Sequence, residues 1–245
     1  MARWLRARAL LLALVAVLLV GCAPSGNSTE VFCDRTSPGY CESLQDAGAG
    51  DAVRPGAQNW SAMELRRGSA VELFEVQAPA DTRHPAVTSW RPDFQTTAVI
   101  VVDRSRTDMQ ITGWRDLAAA GLPVSFSRQS VDSWLLITAM SWGLADSLRP
   151  HPSALHLLGD LHRAGLLEPT PPDEPLGTPL SIAFSHQVAD RIAAGENLEI
   201  VVPAEGTLSY VKGLASADEL PPAGRLPDLL PDLLAEHGYR APDAP

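Results

Sequence analysis

Apolar and polar residues follow one another in the middle of the chain in an order that predicts two strand-helix units. A short β-branched run at residues 98–102 has the length and composition of a buried strand. Residues 113–120 predict a short helix that Gly121 ends, and residues 122–126 alternate as a strand does. Apolar residues at steps of three and four then predict a helix over residues 131–148.

The same order of elements returns later in the chain. Residues 180–184 predict a strand, Ser185 caps a helix over residues 186–194, and residues 198–202 predict a further strand. Residues 34–56, in contrast, are polar and predict little regular structure. Strands and helices that alternate with short connections indicate an α/β fold with a parallel sheet covered by helices.

Polar residues cluster at the junction between the predicted strand 122–126 and the helix that follows it. In an open α/β sheet, ligands bind beyond the carboxyl ends of the strands, where helix N-termini present unpaired N–H groups and a positive dipole end. The alternative is that the serines are helix caps and that the arginine is a solvated surface residue. The candidate ligand-binding residues at this junction are Ser125, Ser127, Arg128, Gln129 and Ser130.

The first residues predict an export signal with a lipid anchor. Three arginines precede an apolar run over residues 9–20, which is too short to span a bilayer. The run ends in Leu19-Val20-Gly21-Cys22, which resembles the lipobox of bacterial lipoproteins. This resemblance implies a signal peptide over residues 1–21, a lipidated tether over residues 22–30 and acyl chains such as palmitate on Cys22. The alternative is a buried cysteine at the end of an ordinary signal.

The charge of the chain argues against a polyanionic partner. The formal net charge is −10, and removal of the three signal-segment arginines would make it −10 − 3 = −13. Such an acidic chain is not expected to bind nucleic acid. The expected location is the outer, extracytoplasmic face of the cell membrane.

Cys33 and Cys41 remain as a pair once Cys22 carries the anchor. Disulfides persist in exported proteins, and Pro38 and Gly39 between the two cysteines allow the chain to turn back. A metal site would need further Cys or His ligands, which do not lie nearby in sequence, so we expect a disulfide, no metal and no cofactor.

No enzyme signature stands out in the sequence. It contains no Gly-x-Ser-x-Gly elbow, no His-Glu-x-x-His motif, no Walker loop and no Cys-x-x-Cys motif. We therefore expect that the protein is not an enzyme.

Two further motifs give the chain a family resemblance. The turn Gly113-Trp-Arg-Asp-Leu117, the strands and helices after it, and the later turn Pro203-Ala-Glu-Gly206 resemble the solute-binding proteins of bacterial ABC importers. The most similar subgroup comprises the binding proteins for polyamines, thiamine and iron. The resemblance implies the two-lobed fold of type II periplasmic binding proteins with a cleft between α/β lobes.

The same resemblance predicts how the chain divides. Lobe one would comprise residues 31–102 and 199–245, and lobe two residues 103–198. The region before Trp90 lacks the strand, glycine turn and helix with which such proteins open, so a reduced first lobe is expected.

The implied function is that of a lipid-anchored subunit that captures a small solute and presents it to an ABC permease. The alternative is a lipoprotein that keeps the fold, has lost transport and acts as an accessory or sensory protein. Lobe one is expected to contribute Glu205, Gly206 and Thr207, facing the serine-rich junction of lobe two. Arg128 and Glu205 together would suit a solute with both charges or would pair to close the cleft. Alternatively, Glu205 has a structural role, its carboxylate accepting backbone N–H groups.

Aromatic residues offer candidate surfaces for an organic solute. They could stack on the ligand, although aromatic residues at such positions are more often part of the core. The candidates are Trp60, Trp90 and Tyr210.

Overall fold

The structure is a computed structural model. It describes residues 30–33, 37–46, 48, 52–55, 69–74, 89–128, 130–171, 174, 176–216 and 220. The predicted signal segment, Cys22, Trp60 and Gln129 lie outside these residues, as does the side chain of Ser130.

The described residues form nine strands and five helices. The strands are β1 (Glu30–Cys33), β2 (Ala52–Pro55), β3 (Ser69–Phe74), β4 (Ser89–Asp103), β5 (Val124–Ser127), β6 (Leu167–Thr170), β7 (Leu180–Phe184), β8 (Leu198–Val201) and β9 (Ser209–Ser216). The helices are α1 (Pro38–Asp46), α2 (Asp116–Ala119), α3 (Ser130–Ala145), α4 (Pro152–Arg163) and α5 (His186–Ala193).

The strands follow one another in the order β2-β1-β3-β9-β4-β7-β5-β6, and β8 pairs with β4 off this path. Strand β4 runs through the middle and changes its partners along its length. Its residues from Ser89 to Thr97 pair with β9, and those from Ala98 to Asp103 pair with β7 and β8. The chain thus forms two groups of strands that share β4.

The second part of β4 explains the continuous apolar run in the sequence. Ala98, Ile100 and Val102 face the large core, whereas Val99 and Val101 face a smaller one on the opposite side. Because successive side chains of a strand point to opposite faces, a strand covered on both faces is apolar at every position.

Each group of strands has its own buried cluster. The larger cluster lies between the sheet and helices α2, α3 and α4, with the fully buried indole of Trp114 in it. The smaller cluster lies under α1, where Tyr40 and Leu44 pack against Phe94. Tyr40 and Leu44 are four residues apart, which places both on the inner face of α1.

The predicted strands and helices of the second group are confirmed, with ends that differ by a few residues. The sheet, however, is mixed rather than parallel: β5 pairs in parallel with β6 and β7, while β4 is antiparallel to β7, β8 and β9. Strand β8 pairs with β4 on the edge opposite to β7, over residues Ile100 to Asp103. The predicted division into lobes, which places residues from 199 onward in lobe one, stays a prediction.

Sequence reasoning missed α1 and β2, which lie in the polar segment 34–56. Helix α1 buries only one side, and a disulfide between Cys33 and Cys41 joins it to the end of β1. The expected disulfide is confirmed. Among the described residues α1 is the single helix of the first group of strands, which agrees with a reduced first lobe.

Candidate ligand-binding cleft

The strand register brings the carboxyl ends of strands from both groups to the middle of β4. Strand β3 ends at Phe74, which pairs with Lys212, and Lys212 also pairs with Phe94 of β4. Strand β7 ends at Phe184, which pairs with Ala98 of β4. The parallel strands β1, β2 and β3 and the parallel strands β5, β6 and β7 therefore point towards each other along β4. The β4 positions at which the two sets end, Phe94 and Ala98, are four strand residues or about 13 Å apart. This edge-to-edge arrangement forms the candidate cleft.

The predicted junction after β5 lies at this edge, but two of its serines, Ser125 and Ser127, are not exposed. Ser125 is fully buried; its hydroxyl is 2.6 Å from the Ser181 hydroxyl, and its N–H donates to Thr178. Ser127 is also buried, and its carbonyl accepts a hydrogen bond from the Ser133 hydroxyl. The side chain of Arg128 is exposed.

A buried carboxylate, which the sequence reasoning missed, lies beside this junction. Asp132 occupies the first turn of α3 and is only 2% exposed. A carboxylate at a helix N-terminus is stabilised by the helix dipole. The junction thus carries a carboxyl group as well as the Arg128 guanidinium.

The predicted turn after β8 is held by the turn before α2. The two carboxylate oxygens of Glu205 accept the backbone N–H groups of Trp114, at 3.0 Å, and Arg115, at 3.2 Å. The Trp114 indole N–H donates to the carbonyl of Gly206 at 3.0 Å, and the φ angle of Gly206 is +105°. This geometry agrees with the structural role for Glu205. A Cβ atom on Gly113 would overlap the Glu205 carboxylate, so any other residue there would displace this carboxylate from its backbone partners.

Glu205 and Gly206 do not lie beside the serine junction. The carbonyl of Gly206 contacts Gly143 in the last part of α3, so closely that a Cβ atom there would overlap it. Ser130 begins α3 thirteen residues earlier, which corresponds to about 20 Å along the helix. Thr207 is nearer to the cleft, since its hydroxyl donates to the carbonyl of Ala98 at 2.7 Å. Ligand binding by these residues stays a prediction.

The two described aromatic candidates have structural contacts. Trp90 packs against Val71 and Ala215 in a small buried cluster. The hydroxyl of Tyr210 donates to the Leu135 carbonyl of α3 at 2.7 Å, and burial raises the pKa of this tyrosine well above its ordinary value. Tyr210 therefore joins β9 to α3 and packs against the larger buried cluster.

A second set of polar residues lies where β4 changes partners. Ser185, expected to cap α5, makes no such bond; its hydroxyl accepts the N–H of Thr97 at 3.0 Å and lies 3.1 Å from the Thr96 hydroxyl. The Thr96 hydroxyl also contacts His186 Nδ1 at 2.8 Å. The start of α5 is thereby fixed to β4, because the Ser185 hydroxyl bonds to the central strand and not to a backbone N–H of α5.

A buried ion pair of Glu72 and Lys212 lies near His186. Lys212 Nζ is 2.7 Å from Glu72 Oε1, and both side chains are at most 1% exposed. The hydroxyl of Ser37, just before α1, donates to Glu72 at 2.8 Å. Burial, and secondly the Lys212 charge, lowers the pKa of His186 well below its ordinary value. The only signal in the sequence was that Lys212 is its single lysine.

A second buried network ties α1 to the first part of β4. The Tyr40 hydroxyl donates to Asp93 Oδ2 at 2.5 Å, and Arg91 Nε donates to Asp93 Oδ1 at 2.7 Å. Burial first, and the neighbouring Asp93 charge second, raise the pKa of Tyr40 well above its ordinary value.

Neither a metal cluster nor a membrane-spanning helix is found in the described part of the chain. No group of three or more His, Cys, Asp or Glu side chains there could hold a metal ion. No helix in that part is long and apolar enough to cross a bilayer.

Comparison with solved structures shows the fold. The sulfate-binding protein SubI from Mycobacterium tuberculosis matches with a TM-score of 0.58 and 16% identity, over 88% of this chain and 87% of that one. A putative spermidine/putrescine ABC transporter protein from Listeria monocytogenes matches with a TM-score of 0.60 and 12% identity, over 89% and 84%. The binding protein AgtB from A. tumefaciens, in complex with agropinic acid, gives 0.62 and 9%, over 87% and 83%.

Sequence comparison adds nothing to this likeness. The chain matches no protein-family model, and no curated protein matches it in sequence. The structural likeness shows that the chain has the two-lobed α/β fold of type II periplasmic binding proteins.

Proposed function

We propose that this protein is the solute-binding lipoprotein of an ABC import system, which captures a small solute between its lobes and presents it to a membrane permease. The observation that carries the proposal is the meeting of two sets of strand carboxyl ends at the middle of β4. A cleft between two such edges suits a protein that closes on its ligand. The solved proteins with this fold whose printed names mention sulfate binding, polyamine transport or agropinic acid support a solute-binding role. The proposed activity is binding without chemistry.

The chemistry at the junction after β5 supports a solute that carries both charges. Arg128 is exposed there and suits an anionic group, because a guanidinium binds a carboxylate or phosphate with two parallel hydrogen bonds. Asp132, in the first turn of α3, suits a cationic group on the same solute. The hydroxyl of Thr207, which is partly buried, would orient such a molecule.

A thermal shift screen tests solute binding. Polyamines, thiamine, sulfate and other oxyanions, metal ions, amino acids and zwitterionic organic acids are each added to the folded protein. A solute that binds the native state raises Tm in proportion to the logarithm of its concentration once the site is saturated. A folded protein that responds to none of these classes would refute the proposal.

Membrane attachment is tested separately through Cys22. Cys22→Ser removes the thiol that would carry the lipid, so the variant should leave the membrane fraction or accumulate as an unprocessed precursor. Cys33 and Cys41 are unchanged in this variant, so its disulfide remains in place. A Cys22→Ser protein that fractionates and migrates like the wild type would refute the lipid anchor.

The second candidate function is an accessory or sensory lipoprotein that keeps the fold without transport. Direct hydrogen bonds that join the two groups of strands without a solute favour this function. Examples are the bonds of Tyr210 to Leu135 and of Thr97 to Ser185. Such a protein would bind a partner without any solute. Recovery of the permease with the immobilised protein in a solute-dependent manner separates the two functions, since only a transport subunit requires the solute.

A further inference from the structure

Helices α1 and α5 contact each other across the candidate cleft. The backbone N–H of Gly39 donates to Asp190 Oδ2 at 2.8 Å, although the two residues are 151 positions apart. Helix α1 follows β1 in the first group of strands, and α5 follows β7 in the second. The hydrogen bond therefore joins the first group of strands directly to the second, which correspond to the two predicted lobes.

One face of α5 makes this contact. His186 and Asp190 are four residues apart and so share a side of the helix. The ring of His186 lies 5.6 Å from that of Phe94, which in turn lies 5.0 Å from the Tyr40 ring of α1. The apolar and ring contacts thus support the Asp190 hydrogen bond along the same surface.

The position that Asp190 occupies has the chemistry of an anion site. The first N–H groups of a helix have no partner within it, and the dipole adds positive charge there. Pro38 has no N–H, so Gly39 carries the first such donor of α1. A carboxylate oxygen at 2.8 Å is what an anionic ligand would place at this point.

We propose that Asp190 is a built-in occupant of the anion-binding position at the N-terminus of α1, where it holds the two lobes together and excludes anionic solutes. As far as it concerns solutes, this inference rests on the proposed function. It confines the anionic group of a solute to the other side of the cleft, near Arg128.

Removal of the carboxylate tests this inference. Asp190→Ala should lower Tm by on the order of 5 °C, because a hydrogen bond to a charged group is lost in a chain of this size. Sodium formate or acetate should then raise the Tm of Asp190→Ala with increasing concentration, relative to sodium chloride at equal ionic strength. The wild type should show no such rise, since its own carboxylate fills the position.

Two further variants make the result decisive. Asp160→Ala removes an exposed carboxylate that pairs with Arg163 on α4, and it should show neither the loss of Tm nor the response to formate. Asp190→Asn keeps an oxygen acceptor, so it should lose less Tm than Asp190→Ala and should gain little from formate. If Asp190→Ala folds only in the presence of formate, that result also supports the proposal.

The proposal is overturned if Asp190→Ala is as stable as Asp160→Ala, if Asp190→Asn loses as much Tm as Asp190→Ala, or if formate and acetate act equally on all variants. It is also overturned if Asp190→Ala is destabilised and no carboxylate restores it. No transported solute is present in these measurements, so their failure is distinct from a failure of the proposed function.

Discussion

The backbone N–H of Trp114 lies 3.0 Å from a carboxylate oxygen of Glu205. These two residues belong to the two motifs on which the family resemblance was based, and the structure shows that the motifs bind each other. The turn before α2 supplies the donors, and the turn after β8 supplies the acceptors. The spacing of the motifs in the sequence thus reflects a contact between two turns that are 91 residues apart.

Replacement of Glu205 should destabilise the protein. Glu205→Ala leaves the N–H groups of Trp114 and Arg115 without their acceptor, at a cost of about 1–2 kcal/mol at this partly exposed position. Glu205→Gln keeps one oxygen acceptor and should cost less. Urea denaturation measures the free energy of unfolding of each variant, and Glu168→Ala on the exposed face of β6 is the control. A Glu205→Ala protein as stable as the Glu168→Ala control would contradict the structural role.

The buried pair of Glu72 and Lys212 predicts a large effect of a single replacement. Lys212→Met leaves the Glu72 carboxylate buried without its cation, which should cost about 3–5 kcal/mol. The double variant Glu72→Leu, Lys212→Met removes both charges and should recover most of this loss. Arg163→Ala, which breaks an exposed pair with Asp160, should change stability by no more than about 1 kcal/mol. Equal losses for the single and double variants would show that the pair has no coupling.

His186 predicts a loss of stability in mild acid. Its pKa is lowered in the folded protein by burial and by Lys212, so the unfolded chain takes up a proton at a higher pH than the folded protein does. The stability that the folded protein owes to neutral His186 is therefore complete above the ordinary pKa of 6.5, and it is lost as the pH falls below that value. Titration of His186 can change the free energy of unfolding by at most about 1.4 kcal/mol per pH unit.

His186→Gln provides the comparison for this pH dependence. The free energy of unfolding of the wild type should fall more steeply than that of His186→Gln between about pH 6.5 and pH 5. Parallel curves over this range would contradict the assignment of the titration to His186.

The sequence predicted the second group of strands better than the first, for a physical reason. Strand β7 is a short apolar run and helix α5 has periodic apolar residues, so the positions of both elements follow from short segments. Helix α1 has few apolar residues and depends on contacts with distant partners: the Asp190 carboxylate and, through Ser37, the Glu72–Lys212 pair. Lys212 is 175 residues from Ser37, and no local pattern reveals such a contact.

The candidate site was predicted in part for the same reason. The place of the cleft follows from strand order, because carboxyl ends of parallel strands meet at one edge. Which side chains are accessible depends on packing: Ser125 bonds to Ser181 on the neighbouring strand and is buried, whereas Arg128 is exposed. Sequence alone could not distinguish these two residues.

Arg128 is the residue of the junction whose replacement should affect binding without affecting the fold. Its side chain is exposed, so Arg128→Ala should leave the free energy of unfolding nearly unchanged. The loss of a charged hydrogen bond to the solute should weaken binding by about 1.5–3 kcal/mol. Arg149→Ala, at another exposed position, is the control for the loss of one positive charge. Equal affinity of Arg128→Ala and Arg149→Ala for the solute would show that Arg128 does not bind it.

The most direct test of solute binding is calorimetric titration of the protein from which the predicted signal segment has been removed. The titrant is the solute that emerges from the thermal shift screen. We expect saturable binding of one solute per chain. The heat-capacity change should be negative, because the lobes bury apolar surface when they close on the solute. Titrations in which the folded protein binds no solute of any class, or binds without saturation, would contradict the account.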